Sequence, residues 1–138
     1  MQRNDVLAFI KQHKLGVVAS ISPKQTPQAA LVGIAVTDDL EIIFDTLEST
    51  RKFRNLERNP RAAVVIGLDD EITVQLEGIA EHLAGDDLAR YKEIYFKTYP
   101  DGRDRQQWPG IAYFIVRPIW LRYSSYEGGK EEIVEMEF

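Results

Sequence analysis

The chain has 138 residues, 44% hydrophobic and 28% charged, a balance that supports one folded domain over residues 1–138 and excludes a disordered polymer. Lys and Arg total 17 against 22 Asp and Glu, so the formal charge is -5 and the overall field repels polyanions, which argues against nucleic acid as a partner. The absence of cysteine excludes disulfides, thiolate catalysis and sulfur-rich metal sites.

Met1-Gln2-Arg3-Asn4 has no secretory character, and residues 4–14 place Val6, Leu7 and Ile10 on one side at helical spacing, with Asn4 as the expected cap and Gly16 just past the end. Val17 to Ile21 reads as a strand, Ser22 to Pro27 as a turn cluster, and Gln28 to Val36 as the second arm of a hairpin. The longest apolar run, Ala29 to Val36, falls far short of the roughly 18 residues of a membrane-spanning helix. No membrane span is expected, and a cytoplasmic protein is the default. Leu40 to Asp45 is a third strand, rich in β-branched and aromatic residues. Ser49 to Asn59 turns helical, with Phe53 and Leu56 facing inward and Pro60 closing it.

Residues 61–68 and 72–82 read as two more strands around Asp69-Asp70-Glu71, and residues 86–98 as a helix with Leu88, Tyr91, Tyr95 and Thr98 on one face. Pro100 to Gly110 has loop composition, Ile111 to Arg117 and Ile119 to Tyr126 read as two strands, and the tail from Glu127 alternates weakly, as an edge strand would. Six or seven strands with three helices and short hairpin links predict an antiparallel, mainly β α+β fold or closed barrel.

The stretch with most chemistry is Phe44 to Arg54, where a strand leads through a turn into a helix that begins with Ser49 and Thr50 followed by Arg51 and Lys52. Two cations near the positive end of a helix dipole are locally unfavourable by a few tenths of a kcal/mol each, on the order of what a bound phosphate would offset. Ser49 as a plain N-cap, with the cations solvated or paired with Glu48, explains the same residues without a ligand.

Phe44-Asp45-Thr46, then Ser49 to Lys52, Asn55 and Asn59-Pro60, resemble the strand–helix segment of the pyridoxamine 5′-phosphate oxidase-like family of FMN-binding split β-barrels. The opening hairpin, Val74 to Glu81 with its acid-glycine-x-alanine-acid ending, and Pro118 to Tyr123 resemble further family segments in the same order. The resemblance implies a six- to seven-stranded antiparallel split barrel, a homodimer with FMN at the subunit interface, and an FMN-dependent oxidoreductase acting on a small molecule with a nicotinamide reductant. It places the phosphate on Ser49, Thr50, Arg51 and Lys52, and Thr46 beside the ribityl chain or ring. Thr73 or Gln75 would reach the flavin, and Trp108 with the Arg103/Arg105 loop would cover it. A deazaflavin is the alternative cofactor, and a non-catalytic flavin-binding or stress-related role the alternative function. The vitamin B6 oxidase itself carries an Arg and a Lys on its second strand and substrate-holding Arg and His near its end. Here Gln28 to Val36 is uncharged and the chain ends Glu135-Met136-Glu137-Phe138, which argues against that activity.

The other candidates read as structural. His13 near a helix end and His82 after a strand have no ligand-spaced neighbours, and Gly128-Gly129-Lys130 lacks the spacing of a phosphate loop. Asp69-Asp70-Glu71 reads as a solvated hairpin tip, and Tyr91 and Tyr95 as packing residues. No nucleophile–base pair is evident, which suits a cofactor that carries its own chemistry.

Overall fold

The computed structural model describes residues 2–68 and 71–138. Helix α1 (Arg3–Lys11) precedes strands β1 (Leu15–Ile21), β2 (Pro27–Gly33), β3 (Ala35–Val36) and β4 (Ile42–Leu47). Helix α2 (Arg51–Arg58) is followed by β5 (Arg61–Ile66) and β6 (Ile72–His82), then α3 (Gly85–Thr98), the short α4 (Gly102–Arg105), β7 (Ile111–Ser125) and β8 (Glu132–Glu137). Seven strands run in the order β2-β1-β5-β6-β7-β4-β3, with β8 pairing along β7 off that path, and every pairing is antiparallel. The sheet curls into a half-barrel, as expected for a split-barrel α+β fold.

Alternation sets which face is which. On β6, Val74, Leu76, Gly78 and Ala80 are buried while Gln75, Glu77 and Ile79 are exposed. The inward set packs with Ile10, Ile34, Leu40, Ile42, Phe44, Ile66 and Phe114 in the main core. Each such aliphatic or aromatic side chain contributes about 1.5–3 kcal/mol on full burial. A second core, Tyr91, Tyr95 and Phe96 of α3 with Ile43, Tyr113 and Ile115, packs α3 against the other side of β4 and β7. Tyr91 and Tyr95 are thus packing residues.

Several expected boundaries shift, each for a local reason. Gln28 to Val36 is not one strand. It breaks at Ile34, whose N–H donates to Lys14 O, so that β2 pairs with β1 and β3 with β4 at the far end of the sheet. Ile111 to Arg117 and Ile119 to Tyr126 are one strand: Pro118, lacking an N–H, sits opposite Gly78 at a bulge where the ladder needs no donor from it. The first helix starts at Arg3 on Gln2, whose N–H donates to Asp5 Oδ2 at 2.8 Å, rather than on Asn4. Gly16 lies within β1, in contact with Ile34 and the Val65 carbonyl, and does not end that helix. The loop from Pro100 contains the turn of α4, and the tail does form an edge strand. Asp69 and Asp70 lie outside the described residues; Glu71 is exposed.

Gly78 lies under β7 so closely that a Cβ there would overlap the Arg117 carbonyl and crowd Val116. Gly78→Ala is expected to lower stability by about 1–3 kcal/mol, the usual penalty of overpacking. Urea unfolding reads this directly, and an unchanged midpoint would contradict the close approach.

Candidate functional site

The start of α2 is decided by Thr50. Its Oγ1 donates to Leu47 O at 2.9 Å and accepts from Phe53 N at 3.3 Å, which makes Thr50, not Ser49, the N-cap. With its single proton given to Leu47, Thr50 receives the hydroxyl proton of Thr46 across 2.9 Å, and Thr46 is itself buried. These two hydroxyls therefore hold the β4–α2 connection. Ser49 is exposed, and its hydroxyl has no partner among the described residues. The backbone N–H groups of Arg51 and Lys52 lack acceptors, as the first N–H groups of a helix do.

Arg51, Lys52, Arg54 and Arg58 have no carboxylate within 4 Å among the described residues, although the chain is acidic and ion pairs are frequent elsewhere. Two adjoining hollows lie against them. One, of about 110 Å³, is lined by Val18, Ser20, Gln28, Thr50, Arg51 and Lys52. The next, of about 260 Å³, shares Gln28 and Arg51 and adds Pro23, Arg54, Asn55 and Arg58. Asn55 is buried and pins the wall: its Nδ2 donates to Ser20 Oγ at 3.0 Å and to Gln28 Oε1 at 2.9 Å. Loss of water around the half-buried Lys52 ammonium pulls its pKa below 10.5, an effect Asp45 opposes.

Asp45 ties a second segment to the site. Arg105 Nε donates to Asp45 Oδ2 at 3.1 Å and Arg105 Nη1 to Asp101 Oδ2 at 2.9 Å. Burial works against the Arg105 charge, but these two carboxylates outweigh it and raise its pKa. The Tyr95 phenol beside them is pushed up, first by burial and then by Asp45. Tyr113 is pushed up for the same reasons, and its hydroxyl is buried without a hydrogen-bond partner. Arg103 pairs with Glu93. The loop after α4 returns to the site, where Glu48 N–H donates to Gly110 O at 2.8 Å, and Trp108 on that loop is exposed.

The structure thus gathers Thr46, Ser49, Thr50, Arg51 and Lys52 at one corner and brings the Trp108 loop beside it. It does not bring Thr73 and Gln75 there within one chain. Val18 and Ser20 of the hollow face the core side of the sheet, whereas Gln75, two strands over from Val17 through Val65, belongs to the outward set with Thr73. The sequence assigns no binding role to Arg54, Arg58, Gln28 or Asn55, although Asn55 belongs to the family-like segment and Arg51, Arg54 and Arg58 stand at i, i+3 and i+7 on one helical stripe. His82 is held by Glu57 at 2.9 Å and stacks on Phe114, and His13 Nδ1 lies 2.8 Å from Phe9 O.

A curled antiparallel half-barrel sheet with several helices packed on it defines a split-barrel α+β protein. The family model described as pyridoxamine 5′-phosphate oxidase matches residues 3–125, and the chain belongs to that family. No curated protein matches the sequence. Among solved structures, a heme binding protein from Mycobacterium smegmatis is similar with a TM-score of 0.80 and 19% identity over 95% of this chain. This chain spans only 56% of that protein's length. A pyridoxamine 5′-phosphate oxidase-related, FMN binding protein from Nostoc punctiforme gives 0.73 at 10% identity, covering 99% of this chain and 96% of its own. General Stress Protein 26 from Bacillus anthracis gives 0.70 at 19% identity, covering 99% and 100%. At such identities the likeness is one of fold. No helix among the described residues is long and apolar enough to cross a membrane.

Thr50→Ala removes the cap and leaves the buried Thr46 hydroxyl without its acceptor. The expected loss is about 1–2 kcal/mol in thermal or urea unfolding. A variant as stable as the parent would show that the hydroxyl pair does not set the helix start.

Proposed function

We propose that the chain is a homodimeric FMN-dependent oxidoreductase acting on a small molecule, with the cofactor phosphate at the start of α2. One observation carries this reading: Arg51 and Lys52, with open backbone N–H groups and no carboxylate within 4 Å among the described residues, line one hollow at a helix N-terminus, and the exposed, unengaged Ser49 hydroxyl stands just before its cap. Arg51 and Lys52 neutralise the phosphate, and Ser49 with the two N–H groups donates to it. Thr50 positions the turn, and Thr46, one step inside the barrel, lies towards the ribityl chain. When bound, the flavin ring accepts and returns a hydride or electrons, so the protein need supply only binding, orientation and shielding from water.

The same reading requires a second copy. The outward face of β2, β1, β5 and β6 exposes Leu15, Leu31, Val65 and Ile79, and Ile119 of β7 lies beside them. A hollow of about 460 Å³ among Ile21, Pro27, Ala63, Ile79 and Ile119 interrupts this surface. Exposed apolar residues gathered on one sheet face, interspersed with Arg61 and Glu77, suit an interaction face with a polar component. A second copy docked there would contribute Thr73 and Gln75 to the flavin from across the interface, with the Trp108 loop as cover. A second reading, flavin binding without turnover in a stress response, is favoured by the likeness to General Stress Protein 26.

Added FMN is expected to bind and colour the protein yellow. Arg51→Ala combined with Lys52→Ala should weaken it at least tenfold in calorimetric titration, since a hydrogen bond to a charged group is worth about 1.5–3 kcal/mol. A protein that ignores FMN ends both flavin readings, and a parallel titration with a deazaflavin decides the cofactor. Reduction by NADPH or NADH followed by reoxidation with turnover separates the oxidoreductase from the binding protein.

The Lys52 charge adds a pH signature. Burial lowers its pKa from 10.5, so its ammonium charge is lost earlier than a free lysine's as the solution turns alkaline. FMN affinity should therefore decline on that alkaline limb, and Lys52→Arg should abolish the decline. Ile79→Glu with Ile119→Glu should convert a dimer to a monomer by light scattering and weaken FMN binding together. Dimers that persist would place the interface elsewhere.

A further inference from the structure

The hollow at the start of α2 shares Gln28 and Arg51 with the larger adjoining cleft of Arg54, Asn55, Arg58 and Pro23. Arg51, Arg54 and Arg58 stand on one stripe of the helix, separated along its axis by about 4.5 Å and then about 6 Å. The facing strand is uncharged, so the helix supplies all the positive charge along this cleft.

These arginines are positioned without being neutralised. Arg54 Nη2 donates to Ser49 O at 3.3 Å, and Arg58 Nη2 donates to Ile21 O at 3.1 Å and Asn55 Oδ1 at 3.4 Å. All three acceptors are neutral oxygens. They restrain the long side chains while leaving most of the five N–H donors of each guanidinium unused. Gln28 is oriented too. Its Oε1 accepts from the buried Asn55, which leaves its amide NH₂ to donate on the wall shared by the two hollows. Arg58 lies about 10 Å along the axis from Arg51, so a single phosphate at the helix start does not engage it.

We infer that Arg54 and Arg58, with the Gln28 amide, form a second anion subsite continuous with the phosphate site, so that the cleft takes ligands bearing two adjacent phosphates in preference to one. The subsite extends the phosphate assignment made above and deepens it by naming the ligand class, pyrophosphate compounds. Planar guanidinium groups suit this role because each can grip a phosphate through two parallel hydrogen bonds.

Calorimetric titration of the full chain with inorganic phosphate and with pyrophosphate tests the subsite without any flavin. Pyrophosphate is expected to bind at least about tenfold more tightly, and Arg54→Ala combined with Arg58→Ala should cut that ratio to about threefold or less. The double lysine variant, Arg54→Lys with Arg58→Lys, retains the charge and should recover most of the preference, with circular dichroism confirming the fold of both. A ratio near one in the parent, or one unchanged in the alanine variant, overturns the subsite. FMN and FAD titrations form a separate arm. Failure of FMN to bind ends the flavin reading, while the pyrophosphate ratio still decides the subsite.

Discussion

The proposed chemistry of this molecule depends on positive charge gathered along one short helix. Arg51 and Lys52 open α2, Arg54 and Arg58 follow on the same helix, and none meets a carboxylate within 4 Å among the described residues of a chain whose net charge is -5. The like charges repel one another, and Arg51 and Lys52 also oppose the helix dipole, whereas Arg58 in the last turn is favoured by it. It persists because the start of the helix is set elsewhere, by the hydroxyl pair of Thr46 and Thr50 and by the burial of Leu56 and Asn55. Packing and capping supply the stability, so the helix holds without carboxylate partners for these cations among the described residues.

The sheet turns that local arrangement into a pocket. Ser20 and Gln28 come from neighbouring positions on β1 and β2, and Asn55 joins both to the helix, so the hollow has one wall of strand and one of helix. The 15-residue β7 organises the rest, pairing with β4 over residues 111–116, with β6 over 114–125 and with β8 over 120–125. Asp45, one residue before Thr46, holds Arg105, and the Glu48–Gly110 hydrogen bond returns the Trp108 loop to the same corner. A short run of sequence from Asp45 to Arg58 thus anchors helix, sheet and loop around one charged cleft.

Much of this was legible in the residues. Apolar runs bounded by turn residues located β1 and β5, alternation located β6, helical spacing located the apolar faces of α1 and α3, and the Ser-Thr-Arg-Lys order marked the helix start. The failures have specific causes. Gln28 to Val36 reads as one continuous apolar run, and only the hydrogen bond from Ile34 to Lys14 shows where the chain leaves one part of the sheet for another. Pro118 reads as a strand break, yet the bulge at Gly78 makes its missing N–H harmless. Ser49 and Thr50 are both good caps, and the geometry of Leu47 and Phe53 chose the second.

The sequence by itself determined the antiparallel β-rich class, the family resemblance, the inward faces and the clustering of hydroxyls and cations at one helix start, because these follow from periodicity and from neighbouring residues in the chain. Tertiary structure alone decided that Arg54, Arg58, Gln28 and Asn55 share a cleft and that Thr73 and Gln75 turn away from it. Those relations join residues 20, 28, 55 and 75, which come together only through strand register and the curl of the sheet, and pairwise register is set by contacts that no local pattern encodes.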